Sequence, residues 1–126
     1  MISTETLTRL RAAMHAIAER KGEFTLFGVF LRSEPPDDWD LVVAAPWLNK
    51  RKFKAVGEIV ELLAESVGRD ILLQLSSVQT LEEGNPALEA VLSAVTVDDG
   101  EMRIQNSSFS GLEIEDAVIM RAMRAA

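Results

Sequence analysis

The hydrophobic pattern at the start of the chain predicts a helix followed by a strand. Between Leu7 and Arg20, large apolar side chains recur every three or four residues, which is the periodicity of one helix face. Ser3 or Thr4 can cap this helix, and Gly22 can end it. Apolar residues on both faces then predict a strand over 24–32 that is covered on both sides of its sheet.

Two prolines after this strand predict a tight turn. Pro35 and Pro36 fix two backbone dihedrals and cannot continue a strand ladder. A connection this short predicts an antiparallel hairpin to a second strand over Asp38–Ala45. Pro46 ends that second strand.

The next segment has the pattern of an amphipathic helix over Lys50–Val67, with Asn49 as its cap. Apolar residues recur there at spacings of three and four, which predicts one buried stripe. That stripe is predicted to consist of Phe53, Val56, Val60, Leu63 and Val67. Gly57 lies near it, where it could let another backbone approach closely.

The rest of the chain predicts a strand, a short helix, another strand and a tail. The third strand is predicted over Asp70–Val78, and Asn85 and Pro86 cap and open the short helix. A fourth strand is predicted over Glu101–Asn106. The tail fits strand alternation at first, and we expect it to turn into a final helix near Ile119.

This order of elements, α-β-β-α-β-α-β and a tail, predicts an α/β (α+β) fold. We expect a mixed β-sheet with helices packed on it. The 126 residues contain no segment with the composition of a linker, and this length is typical of one domain. We therefore expect a single domain over 1–126.

Charge and composition exclude several classes of function. The net charge of −7 argues against nucleic acid and anionic lipid as partners, because both require a basic surface. The absence of cysteine excludes disulfides and thiolate-bound metals. The N-terminus lacks the pattern of a signal peptide, and no apolar run approaches the ~20 residues that span a bilayer. We expect a cytoplasmic protein.

Three aspartates carry the candidate chemistry. Asp38 and Asp40 are two apart on a predicted strand, so their side chains point to the same side. Asp70 begins the third predicted strand, and the three carboxylates would converge if that strand lies beside the hairpin. A divalent cation would relieve their mutual repulsion. The alternatives are solvated acids beside a proline turn and, for Asp70, a turn residue or an ion pair with a neighbour.

The chain resembles the minimal nucleotidyltransferases of the polymerase-beta superfamily over about residues 4–95. In that family a helix leads to a strand ending in Leu-Phe-Gly-Ser, which corresponds to Leu26-Phe27-Gly28 here. An Asp-x-Asp-Leu strand follows, and Asp38-Trp39-Asp40-Leu41 matches it. A helix and a strand with a third aspartate come next, where this chain has Arg69-Asp70-Ile71-Leu72.

The resemblance implies magnesium-dependent transfer of a nucleoside monophosphate from a nucleoside triphosphate to a hydroxyl group. Asp38 and Asp40 would then hold the magnesium ions, and Asp70 would assist the attacking oxygen. Gly28 would let the backbone approach the triphosphate, and Arg32 could reach a phosphate. Small members of the family often act with a helical partner protein, so such a partner or a homodimer is expected.

The departures from the family pattern fall on the phosphate-binding part. Val29 replaces the serine after Gly28, which removes a hydroxyl donor, and the second glycine of the loop is absent. The loop carries Glu34 and Asp37, whose charges disfavour a triphosphate, and Arg32 could simply pair with Glu34. The sequence therefore favours a degenerate member that keeps the fold, binds nucleotide and metal weakly or not at all, and is not an enzyme.

The rival hypothesis is a non-enzymatic interaction module that uses the tail 104–123 as its interface. An active enzyme is a third hypothesis. A basic cluster at the start of the second helix fits a phosphate, an acidic partner surface or a plain solvated face. It consists of Lys50, Arg51, Lys52 and Lys54.

Overall fold

The computed structural model describes residues 2–31, 39–48, 50–109 and 112–124. In these parts the chain forms four helices and a five-stranded mixed sheet, which confirms the predicted fold class. The elements in chain order are α1 (Thr4–Lys21), β1 (Leu26–Leu31), β2 (Trp39–Ala44), α2 (Lys52–Val67), α3 (Arg69–Leu72), β3 (Ser77–Thr80), α4 (Pro86–Ala94), β4 (Met102–Phe109) and β5 (Leu112–Ala122).

The sheet has the strand order β3-β2-β1-β5-β4. Strand β1 pairs antiparallel with both β2 and β5, which confirms the predicted antiparallel pairing and the predicted central position of β1. The turn predicted at Pro35 and Pro36 lies outside the described residues. Strand β3 pairs parallel with β2, and β4 pairs antiparallel with β5. The two edges of the sheet are thus β3 and β4.

Helices cover both faces of this sheet. On one face, α1, α2 and α3 pack on β1 and β2 around the fully buried side chains of Phe27, Leu41 and Ile59. On the other face, Leu88 and Val91 of α4 complete a smaller core. A strand covered on both faces buries nearly every residue, and all six residues of β2 are buried.

The ends of α1 follow the predicted signals. The Ser3 hydroxyl oxygen accepts a hydrogen bond from the Thr6 amide at 3.1 Å. Gly22 ends the helix at a φ of 120°, a conformation that disfavours other residues. Asn85 likewise caps α4 by accepting from the Ala87 amide at 2.8 Å, as predicted.

The buried stripe predicted for α2 is wrong in part. Leu63 and Val67 are buried, but Phe53 is 91% exposed and Val60 is 37% exposed. The helix carries two apolar stripes, and the one that meets α1 and the sheet consists of Ala55, Ile59, Leu62, Leu63 and Val67. Spacings of three and four fit both stripes, so periodicity alone could not choose between them. Asn49, the predicted cap, lies outside the described residues.

The predicted strand over Asp70–Val78 is also wrong, because its first part is helical. Gly68, at a φ of 87°, ends α2, and the chain then turns immediately into α3. Ile71 is four residues after Val67 and is buried in the same core, so the helical period continues across Gly68. The strand itself, β3, begins only at Ser77.

The tail contains no final helix in its described residues. Residues near Ile119 belong to the eleven-residue strand β5, which lies between β1 and β4. Because both faces of β5 are covered there, residues 117–120 are all buried, and such a continuous apolar run is also typical of a helix. The strand predicted over Glu101–Asn106 is confirmed as the first part of β4.

Candidate functional site

Asp40 is a buried carboxylate in the sheet, with a relative exposure of 6%. It lies in β2, opposite Phe30 of β1 and Ser77 of β3. One carboxylate oxygen accepts a hydrogen bond from the Ser77 hydroxyl at 2.6 Å, and the other accepts a long one from the Gln79 amide at 3.4 Å. Because a buried charge requires hydrogen-bond donors, these two polar side chains of β3 stabilise the Asp40 carboxylate in the sheet.

The register between β2 and β3 determines which group stands beside Asp40. The strand that follows the helix carries the third aspartate in the family that the chain resembles. Here the residue paired with Asp40 across the parallel ladder is Ser77, a hydroxyl donor. A hydroxyl and an amide stabilise a single carboxylate, whereas a second carboxylate would raise its pKa unless a cation intervened.

Asp70 lies in the first turn of α3 and is ion-paired with α1. The Arg9 guanidinium donates to the Asp70 carboxylate at 3.0 Å and also to the Val67 carbonyl oxygen. This hydrogen bond from Arg9 holds the pKa of Asp70 below its ordinary value. The Asp70 side chain is 68% exposed. An ion pair with a neighbour was the alternative that the sequence left open for Asp70.

Gly28 is buried in the middle of β1, where β5 approaches it closely. A Cβ atom at this position would lie 3.0 Å from the Val118 carbonyl oxygen and 3.3 Å from the Ile119 Cα. The pairing of β1 with β5 shifts register at this point, between Phe27 and Gly28. The contact with β5 is therefore sufficient to explain the glycine, without a ligand.

The other two predicted site residues, Asp38 and Arg32, lie outside the described residues. In the parts of the chain that are described, no three histidine, aspartate or glutamate side chains lie close enough to hold a metal ion. Asp40 accepts a hydrogen bond from Ser77, whereas Asp70 is paired with Arg9. The magnesium site needs Asp38 as well as Asp40, so it stays a prediction.

Two adjoining cavities lie at the other end of β2 from Asp40. They have volumes of about 170 and 280 Å³ and share Ala45, Pro46 and Leu81 in their walls. Glu83 lines both of them, and Lys50 lines the larger one. The cavities and Asp40 are thus separated by the length of a strand, and they do not form one site.

The sequence analysis missed Ser77 and Gln79, although a signal for them exists. They are two residues apart, so on a strand they share one face, and both are polar. The shared face of Ser77 and Gln79 is recognised only when the strand is placed at 77–80. Placing it at Asp70–Val78 directed attention to Asp70 as the strand's functional residue.

Comparisons of the chain with models of protein families, with curated proteins and with solved structures found no match. Among the described residues, no helix has both the length and the apolar character needed to cross a membrane.

Proposed function

We propose that this chain is a non-catalytic domain of nucleotidyltransferase-like architecture that acts by binding a protein. The observation that carries the proposal is the register of β3, which puts the Ser77 hydroxyl beside Asp40 at 2.6 Å. Phosphoryl transfer with two metal ions depends on carboxylates that share the ions. A buried carboxylate that is already bonded to a hydroxyl and an amide contributes to the fold instead.

The state of β1 supports the loss of catalysis. Val29, which stands where the resemblance implies a phosphate-binding serine, is 0% exposed and belongs to the core. Gly28 packs against the backbone of β5. The described residues of β1 are thus largely enclosed by their neighbours, which supports the loss of a triphosphate site on this strand.

The distribution of large apolar side chains supports protein binding. Phe53 and Val60 of α2 are 91% and 37% exposed, although the burial of large apolar side chains is favourable. In the described part of the tail 104–123, Ile114, Val118 and Met120 are buried in the core. We therefore propose that the interface lies on the exposed face of α2.

Two assays test the proposal. Thermal unfolding with manganese and each nucleoside triphosphate should leave the melting temperature unchanged, because a ligand that binds only the native state must raise it. Incubation with labelled triphosphates and mixed hydroxyl acceptors should give no labelled product. A rise in melting temperature that Asp40→Asn abolishes, or labelled product that depends on Asp40, would overturn the proposal and restore the nucleotide-binding hypothesis.

A further inference from the structure

Helix α2 carries a second apolar stripe that faces away from the core. Phe53, Gly57, Val60 and Ala64 follow one another at spacings of four, three and four residues, which places them on one face of the helix. Phe53 is 91% exposed, Val60 is 37% exposed, and a Cβ atom added at Gly57 would meet no other atom within 4 Å. This outward stripe has the spacing of a helix–helix seam, but no described part of the chain covers it.

The outward stripes of two copies are complementary in shape when their α2 helices run antiparallel. If two α2 helices pack antiparallel about a point between Glu58 and Ile59, Phe53 of each helix faces Ala64 of the other. The same alignment puts Val60 opposite Gly57. Large side chains thus meet small ones at every level, which is the arrangement that close helix packing requires.

The charged side chains beside the stripe are also complementary between two antiparallel copies. Lys54 lies in the first half of α2, and Glu61 and Glu65 lie in the second half on the same flank of the outward stripe. In an antiparallel pair, like flanks face each other, so Lys54 of one copy comes between the two glutamates of its partner. Glu65 also contacts Arg20 of α1 at 3.0 Å, which adds one more positive charge close to it.

The charges at the N-terminus of α2 are unfavourable for the helix in a single copy. Its first turn contains no acidic residue, and its cap, Arg51, makes no capping hydrogen bond through its side chain. Basic residues at a helix N-terminus oppose the helix dipole. An antiparallel partner helix would bring its acidic half and the negative end of its dipole alongside this turn, which offsets that cost.

We propose that two copies of this chain associate through α2, with their outward stripes packed antiparallel across a twofold axis. This inference rests on the proposed function, since it names a second copy as the protein that is bound. It is an isologous interface, in which each copy offers the same surface.

The experiment measures the oligomeric state of the full chain by sedimentation equilibrium over a range of concentrations. The wild-type chain should dimerise, and Phe53→Asp should raise the dissociation constant by about a hundredfold or more, because two large apolar contacts are lost. Leu73→Asp is the matched control, since Leu73 is also exposed but lies outside α2. It should leave dimerisation unchanged.

A second variant separates the interface from folding. In a single copy, a Cβ atom added at Gly57 meets no other atom within 4 Å. Gly57→Leu also removes a glycine from a helix interior, so the monomer should be at least as stable as wild type. In the antiparallel pair, the leucine would collide with Val60 of the partner copy. A Gly57→Leu chain that is folded but monomeric supports the proposal. An unchanged dimer overturns it.

Charge reversal tests the direction of packing. Lys54→Glu should weaken the dimer, because the new glutamate of each copy would then face Glu61 and Glu65 of its partner. Adding Glu61→Lys should restore it, because the two reversals recreate a complementary pair. Restoration in the double variant is specific to antiparallel packing of α2.

A wild-type chain that stays monomeric at high concentration, or a dimer unaffected by Phe53→Asp, overturns this inference. Either result leaves the assays for nucleotide binding and transfer untouched. Conversely, nucleotide transfer by a dimer that Gly57→Leu dissociates would overturn the proposed function and leave the interface standing.

Discussion

A second carboxylate placed beside Asp40 would test why β3 carries a serine there. In Ser77→Asp, two carboxylates would lie about 4 Å apart, since the present Ser77 Oγ is 2.6 Å from the Asp40 oxygen. At an effective dielectric constant of about 20, like charges at that distance repel by about 4 kcal/mol. The lost hydrogen bond to a charged group adds about 1.5–3 kcal/mol. Part of this cost is avoided when one carboxyl group takes up a proton.

The matched control is Ser77→Asn, which has the size of aspartate but no charge. The difference between the two variants isolates the repulsion, and we expect it to be about 2–4 kcal/mol at neutral pH and to disappear below about pH 4. For a chain of this length, each kcal/mol lowers the melting temperature by about 4 °C. The assay is thermal unfolding of both variants, once with EDTA and once with magnesium or manganese. It gives the stability difference between the variants and the effect of metal on it.

A divalent cation should affect the stability of the two variants differently. A divalent cation should recover part of the stability of Ser77→Asp, because it bridges the two carboxylates, and should leave wild type and Ser77→Asn unchanged. Equal stability of the aspartate and asparagine variants would show that Asp40 and residue 77 are not neighbours. Stabilisation of the wild-type chain by the metal would show that a metal site is already complete, and the proposed loss of function would fail.

Three further predictions concern stability. Ser77→Ala should lower the free energy of unfolding by about 2 kcal/mol in urea titration, since it removes the hydroxyl that donates to the buried Asp40 carboxylate at 2.6 Å; a cost no larger than that of a neutral surface substitution would contradict this. Gly28→Ala should cost about 1–3 kcal/mol with or without ligand, because the new Cβ meets the Val118 carbonyl oxygen at 3.0 Å; unchanged stability would refute it. Arg9 lowers the pKa of Asp70 from 3.8, so this pair stabilises the fold above about pH 3.8 and less as pH falls further. The stability difference between wild type and Asp70→Asn should therefore shrink in acid, and a constant difference would exclude the ion pair as its cause.

The first half of the fold could be predicted because its signals are local. The Ser3 cap, the Gly22 terminator and the two-sided apolar strand β1 each depend on a few neighbouring residues. A short connection between two strands determines their antiparallel pairing. These features need no knowledge of what lies across the core.

The errors arose where tertiary packing decides between two local patterns. Helix α2 has two apolar stripes, and only the position of α1 and the sheet selects the buried one. Ile71 and Leu72 suit a strand by composition, but Ile71 reaches the core as the next turn after Val67. Residues near Ile119 form a strand because β1 and β4 pair with them on either side.

The candidate site shows the same limit. That Asp40 lies near the start of a strand could be predicted from its neighbours. That Ser77 and Gln79 bind it could not, because the partner of a parallel strand is set by the intervening helices and the register they impose. The secondary structure predicted at Asp70 was wrong, since this residue lies in α3 and not at the start of a strand. Its side chain is bonded to Arg9.

The central claim is that this chain binds protein and does not process nucleotides. Calorimetric titration of the wild-type chain with nucleoside triphosphates in the presence of magnesium tests it most directly. The account predicts no heat of binding above that of dilution for any of the four bases. Saturable binding that is lost in Asp40→Asn but kept in Leu73→Asp would contradict it.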